Sequence, residues 1–131
     1  GKGKTKELLN KVNTSITSAT GNIVYLDKSQ KHMYELNNKI RLINVNDFLI
    51  DNWDEFLGFI CGVISQDHDL EEMYLDSFLT IASIDSDELL NHAIQKLDVI
   101  SEKYNVKFIL SVSKDESKLT DIAKAKIVIS L

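Results

Sequence analysis

The chain has 131 residues, of which 44% are hydrophobic and 27% charged, and these proportions are typical of one globular domain over residues 1–131. Its net charge of −5 argues against a broad basic surface, so we expect no nucleic-acid partner. The longest apolar run, residues 56–64, is far shorter than the roughly 20 residues of a membrane-spanning helix, so we expect no membrane span. The single cysteine, Cys61, excludes an internal disulfide and fits a cytoplasmic protein.

The first six residues contain a short phosphate-binding signature. Gly3-Lys4-Thr5 matches the end of the Walker A loop, G-x-x-x-x-G-K-[ST], and an amphipathic helix pattern follows directly. At such a helix start, backbone N–H groups bind a phosphate, the lysine contacts the outer phosphates and the threonine hydroxyl ligates Mg²⁺. A glycine there permits close approach of the backbone. The first glycine of the loop and the strand that feeds it would fall upstream of Gly1.

Two interpretations of this segment compete. In one, residues 1–6 are a solvated end or the remnant of a tag. In the other, the sequence begins inside a phosphate-binding loop. We then expect the polypeptide to extend upstream of Gly1 and to supply a central strand, because a sheet lacking that strand would leave two neighbours with unpaired N–H and C=O groups. Failing that, a strand from another molecule must fill the gap.

The rest of the chain alternates between strand and helix patterns. Apolar, β-rich runs predict strands at residues 22–27, 40–45, 72–76, 106–112 and 126–131. Helical spacing and capping residues predict three further helices, which begin at Asn52, begin at Asp85 or Ser86, and span residues 119–123. Strands that alternate with helices predict an α/β fold with a mainly parallel sheet and helices on both faces, a three-layer α/β/α domain.

Two further features have competing interpretations. The loop Asp67-His68-Asp69 has the ligand types of a metal site, but three adjacent loop residues rarely converge on one ion without outside ligands, so we favour a solvated loop. Cys61 lies on the apolar stripe of the second helix, which predicts a buried thiol and not a nucleophile.

The order of motifs and elements along the chain resembles that of P-loop NTPases of the ASCE/RecA-like kind. More narrowly, it resembles small bacterial ATP-binding or twitching-motility-like ATPases. The resemblance depends on Gly3-Lys4-Thr5 at a helix start and on Met73-Tyr74-Leu75-Asp76, an apolar strand that ends in an aspartate. It covers nearly the whole chain, less the first strand. It implies a P-loop NTPase-like fold, ATP and Mg²⁺ as cofactors, and hydrolysis of the nucleotide.

The resemblance also implies roles for particular residues. Mg²⁺ is held by Thr5 and Asp76, and a polar residue such as Ser111 or Ser113 senses the γ-phosphate. The nucleotide is bound by the segment Gly1, Lys2, Gly3, Lys4, Thr5 and Lys6.

The chain departs from the pattern of these families in the groups needed for turnover. Ser77, and not an acid, follows Asp76, and no arginine finger stands out. Glu72 and Asp27 are the nearest candidates to orient an attacking water, although Asp27 is also interpretable as a turn residue. We therefore expect a nucleotide-binding domain, at most a slow ATPase. The alternatives are a non-catalytic protein-interaction or scaffold domain of the same fold, with a protein partner or a second copy, and a receiver-like or other flavodoxin-like domain with an acid-rich cluster.

Overall fold

The structure, a computed structural model, describes residues 3–112 and the backbone of residues 129–130. The helices are α1 (Lys4–Ser15), α2 (Trp53–Ser65), α3 (Phe78–Ile81) and α4 (Asp87–Tyr104). The strands are β1 (Asn22–Asp27), β2 (Ile40–Asn44), β3 (Leu70–Leu75), β4 (Lys107–Val112) and β5 (Ile129–Ser130). Two single 3₁₀ turns, Met33–Glu35 and Val45–Asp47, flank β2. The predicted helix at 119–123 lies outside the described residues.

The strands form one sheet in the order β2-β1-β3-β4-β5, and every pair of neighbours is parallel. The predicted α/β fold with a parallel sheet is therefore confirmed. β5 pairs directly with β4, because Ser111 is opposite Ile129 and Val112 is opposite Ser130. Among the described residues, each strand pairs directly with the next in this order, so no gap of the expected kind separates them.

Helices cover both faces of the sheet. Because side chains alternate along a strand, each strand contributes to both faces. One face packs against the apolar stripe of α1 and includes Ile23, Tyr25, Tyr74 and Ile109. The opposite face packs against α2 and α4 and includes Val24, Leu26, Met73, Leu75, Phe108 and Leu110. The carboxyl ends of the strands are therefore held between two helical layers.

The helix starts follow the predicted capping chemistry. The Asn52 side chain accepts a hydrogen bond from the Glu55 backbone N–H at 2.9 Å, and the Glu55 carboxylate accepts one from the Asp51 N–H at 2.6 Å. At the start of α4, the Ser86 hydroxyl accepts a hydrogen bond from the Leu89 N–H at 3.1 Å. Both predicted caps are confirmed.

Other local predictions were wrong or incomplete. The buried residues of α2 are Trp53, Phe56, Ile60 and Ile64. Cys61 lies one position past this stripe, so the helical rotation of about 100° per residue turns its thiol to solvent, and the thiol is exposed. The connection from β1 to β2, for which no element was predicted, contains the 3₁₀ turn Met33–Glu35. In the part of the chain that is described, no helix is long and apolar enough to cross a membrane.

Candidate site at the carboxyl edge of the sheet

The carboxyl ends of β1, β3 and β4 meet at one edge of the sheet, beside the start of α1. β1 ends at Asp27, Asp76 directly follows β3, and Ser111 is near the end of β4. β1 lies between β2 and β3, so the chain order reverses between β1 and β3. Open α/β sheets bind their ligands at the carboxyl ends of the strands beside such a reversal.

Asp76 is the centre of this edge. Its side chain is 1% exposed and accepts hydrogen bonds from hydroxyl groups on three elements. The donors on these elements are Tyr25 Oη at 2.6 Å, Ser111 Oγ at 3.1 Å and Thr5 Oγ1 at 3.2 Å, and the adjacent Ser77 Oγ donates at 3.4 Å. The Asp76 backbone N–H donates to the Leu26 carbonyl at 2.9 Å, which fixes the residue against β1. A buried carboxylate must be hydrogen-bonded, and here neutral donors meet that need.

The Ser111 hydroxyl has a fixed orientation. The Ser77 backbone N–H donates to Ser111 Oγ at 2.7 Å, so the Ser111 hydroxyl hydrogen is directed to Asp76. Ser77 itself has φ 56° and ψ 53°, a left-handed conformation that turns the chain sharply after β3. This turn brings the Ser77 amide to β4, and the resulting hydrogen bond joins the ends of β3 and β4.

The start of α1 lies against Asp76 with its first-turn amides uncapped by a side chain, since the residue before the helix is Gly3. Gly3 has φ −87° and ψ −14°, a right-handed conformation open to any residue. Lys4 is 8% exposed, a high degree of burial for a lysine, and Thr5 makes the contact with Asp76.

Asp27 provides a second carboxylate at this edge. It is 3% exposed, and one of its oxygens accepts a hydrogen bond from the Lys28 backbone N–H at 2.7 Å. The other oxygen, Oδ2, is buried and has no hydrogen-bond partner among the described residues. Burial raises the pKa of the Asp27 carboxyl, and the nearby charge of Asp76 raises it further. Because Asp27 follows Tyr25 by two positions, it is on the face of β1 that α1 covers.

Tyr25 belongs to the site, although it lies in none of the sequence motifs. Its ring is fully buried and stacks on Tyr74 with the centroids 6.1 Å apart. Burial raises the pKa of the Tyr25 phenol, and the Asp76 charge adds to that effect, so the phenol remains a proton donor. The sequence does contain a sign of this role, which is a tyrosine inside an apolar strand. A phenol buried there needs a polar partner for its hydroxyl group.

The remaining predicted residues lie elsewhere. Gly1, Lys2 and Ser113 are outside the described residues, and Lys6 is exposed on α1. Glu72 accepts hydrogen bonds from Ser15 Oγ at 2.8 Å and Tyr74 Oη at 3.0 Å. It precedes Asp76 by four positions on an extended strand, which is roughly 13 Å. Glu72 is therefore removed from the edge, and of the two candidates to orient water only Asp27 is there.

The loop that contains Asp67 is built by local hydrogen bonds. Both Asp67 carboxylate oxygens accept hydrogen bonds from the Asn22 side-chain amide, and one also accepts from the Asp69 backbone N–H. His68 is exposed beside them. Over residues 3–112, no group of three or more His, Cys, Asp or Glu side chains is arranged to hold a metal ion.

The oxygen atoms at Asp76 fit Mg²⁺ without such a cluster of side chains. Mg²⁺ binds oxygen, keeps several waters and commonly uses only one or two carboxylates together with phosphate oxygens. Adjacent ligands of an octahedral Mg²⁺ at about 2.1 Å are about 3 Å apart. Thr5 Oγ1 and Asp76 Oδ1 are 3.2 Å apart, so they can act as neighbouring ligands of one ion.

Comparison with known proteins yields no relative. No protein-family model matches the chain, and neither a curated protein nor a solved structure matches it.

Proposed function

We propose that the chain binds ATP with Mg²⁺ at the carboxyl edge of the sheet, as a P-loop NTPase-like domain. The observation that carries the proposal is the contact between Thr5 and Asp76. These residues are 71 positions apart and belong to the two short motifs expected to share one Mg²⁺. Nothing in either motif alone requires them to meet, and the fold places their oxygens 3.2 Å apart.

Each group at the start of α1 has a task in this proposal. The uncapped N–H groups of the first turn hold phosphate oxygens, and the helix dipole favours their negative charge. Lys4 contacts the outer phosphates as a point charge. Thr5 and Asp76 hold the metal ion, which when bound neutralises charge between the β- and γ-phosphates. Ser111 keeps the Asp76 carboxylate oriented through its own fixed hydroxyl.

Asp27 is the residue that we assign to hydrolysis. Water attacks the γ-phosphorus and gives a proton to the Asp27 carboxylate, the bond to the β–γ bridging oxygen breaks, ADP and inorganic phosphate are released, and the proton then passes to solvent. Asp27 Oδ2 has no protein partner among the described residues, so it has the capacity to accept a hydrogen bond from that water. Its raised pKa makes the carboxylate a stronger base than an ordinary aspartate. An aspartate at a strand end, with Ser77 in place of an acid after Asp76, fits slow turnover.

Two alternatives have some support in the same geometry. The lack of an acid at Ser77 fits a non-catalytic domain that binds nucleotide and recruits a partner. Asp27 and Asp76 together form the acid cluster expected of a flavodoxin-like domain. The strand order β2-β1-β3-β4-β5 also fits the second alternative, and the contact from Thr5 to Asp76 favours the nucleotide proposal because it brings the start of α1 into the site.

Calorimetric titration of the chain with ATP and Mg²⁺ tests the proposal. We expect binding that Lys4→Ala weakens by at least about tenfold, since a charged contact contributes on the order of 1.5–3 kcal/mol and 1.4 kcal/mol is tenfold. Lys11→Ala, further along α1, is the matched control and retains wild-type affinity. An absence of ATP binding by the wild type, or equal losses in both variants, refutes the proposal.

A further inference from the structure

A second surface lies between β2 and α2. A cleft of about 810 Å³ opens there, and its apolar wall is formed by Ile43 from β2 and by Phe59 and Val63 from α2. Gly62 also lines it, and a Cβ built on Gly62 would meet no atom within 4 Å. The cleft exists because α2 covers β1 and β3 more fully than β2, which leaves Ile43 half-buried.

One wall of the cleft is a sheet edge. Within the described ranges, β2 pairs with β1 and with no other strand. Its outer side therefore presents alternating N–H and C=O groups that can pair with an added strand. An extended peptide that joins such an edge gains backbone hydrogen bonds, and the cleft beneath can receive every second side chain.

The cleft is positively charged within an acidic chain. Lys39 and Arg41 line it, and no ion pair joins either of them to another described residue. The acid in the lining is Asp67, whose carboxylate oxygens are engaged by the Asn22 amide. The local excess of positive charge contrasts with the net charge of −5.

We propose that the β2 edge and this cleft bind an extended acidic segment of a partner protein, which adds a strand beside β2. Arg41 and Ile43 are on the same face, so acidic side chains of the segment pair with Lys39 and Arg41 while an apolar side chain enters the cleft. A second copy of the chain is the poorer occupant. Its β2 strand carries Arg41, with Lys39 just before it, and no acidic residue, so it adds positive charge to the edge without supplying an acidic partner for these cations.

Fluorescence anisotropy with a labelled peptide of alternating glutamate and valine tests this surface. We expect the full chain to bind it, the lysine–valine peptide to bind at least about tenfold more weakly, and Arg41→Glu to reduce the affinity for the acidic peptide by a similar factor. Binding of both peptides with equal affinity, or of neither, overturns the proposal, as does self-association through the cleft in sedimentation experiments.

A pair of glycine variants provides the structural control. Gly62→Leu fills the cleft, whereas Gly58→Leu adds the same side chain to α2 outside it, and both glycines have open space at the Cβ position. We expect Gly62→Leu alone to weaken peptide binding by about tenfold, with equal circular dichroism spectra for both variants. Equal effects of the two variants on peptide binding refute a role for the cleft. Lys4→Ala leaves peptide binding unchanged, so this proposal and the nucleotide proposal can fail independently.

Discussion

At the residue scale, the site is organised by the buried carboxylate of Asp76. Asp76 accepts hydrogen bonds from Tyr25, Ser111 and Thr5, and each donor comes from a different element. These neutral hydroxyl groups meet the hydrogen-bonding needs of the Asp76 carboxylate, yet its buried negative charge also attracts a divalent ion. The arrangement therefore links the stability of the edge with its proposed affinity for Mg²⁺.

Tyr25 gives a test of that hydrogen-bond network. Tyr25→Phe removes the donor to Asp76 Oδ2, and we expect it to lower the free energy of unfolding by about 1.5–3 kcal/mol, the usual contribution of a hydrogen bond to a charged group. Urea denaturation measures this. Tyr74→Phe is the matched control, because its partner Glu72 keeps a second donor in Ser15. A Tyr74→Phe loss as large as that of Tyr25→Phe contradicts the account.

Asp27 gives a test in which stability and activity move in opposite directions. Its pKa is raised in the folded state, so the folded protein binds the proton more tightly than the unfolded chain, and stability falls as pH rises above the ordinary value of 3.8. Asp27→Asn removes this titration. We expect the variant to melt higher than the wild type at pH 7, with the difference shrinking towards about pH 4.

The same variant should bind ATP normally and hydrolyse it more slowly, because the amide cannot act as a base. Thermal melts across pH and a phosphate-release assay measure the two effects. A variant less stable than the wild type at pH 7, or one with unchanged hydrolysis, contradicts the role of Asp27.

Sequence reasoning identified part of this site. Lys4, Thr5 and Asp76 were predicted because their motifs are local, each readable within a few positions. The Tyr25 contact was not, because it depends on the register that places β1 beside β3, with Tyr25 opposite Tyr74. The position of Asp27 stayed ambiguous for the same reason, since only the three-dimensional edge distinguishes a buried acid from a turn residue.

At the element scale, the helix caps could be predicted from the sequence, but the connections between elements could not. The caps at Asn52 and Ser86 are confirmed, because each satisfies an amide three positions along the chain. The β1–β2 connection and the short helix α3 have no strong pattern of their own. They are set by tertiary contacts, such as the hydrogen bonds from the Asn13 side chain to the Glu35 carbonyl and from the Asn37 amide back to Asn13.

Substitution of Gly21 tests the close contact between the turn before β1 and the loop before β3. A Cβ on Gly21 would lie 2.1 Å from the Asp69 carbonyl oxygen, so Gly21→Ala must displace backbone. We expect a loss of about 1–3 kcal/mol in unfolding free energy, as for other overpacked positions. Gly58→Ala is the control and should gain up to about 1 kcal/mol, because its Cβ position is open and alanine favours helix. A Gly21→Ala variant as stable as the wild type refutes this contact.

At the scale of the whole molecule, the parallel α/β architecture followed from the alternation of strand and helix patterns, but the strand order did not. The order β2-β1-β3-β4-β5 places Asp27 and Asp76 on either side of the chain reversal. At the same edge, the contact between Thr5 and Asp76 joins the two short sequence motifs in one site. The face around β2 is left less covered by α2 than the centre of the sheet. The two proposed binding surfaces therefore both arise from the layout of the sheet.

The most direct test of the central claim is ATP binding measured with Mg²⁺ and again with EDTA, for the wild type and Asp76→Asn. The nearly isosteric amide retains the fold, which circular dichroism verifies, but it is a poor metal ligand. We predict that Mg²⁺ strengthens ATP binding by the wild type and that Asp76→Asn removes most of this gain while binding in EDTA changes little. Equal binding of ATP by the wild type with Mg²⁺ and with EDTA, or an unchanged Mg²⁺ effect in the variant, would contradict a metal–nucleotide site at Thr5 and Asp76.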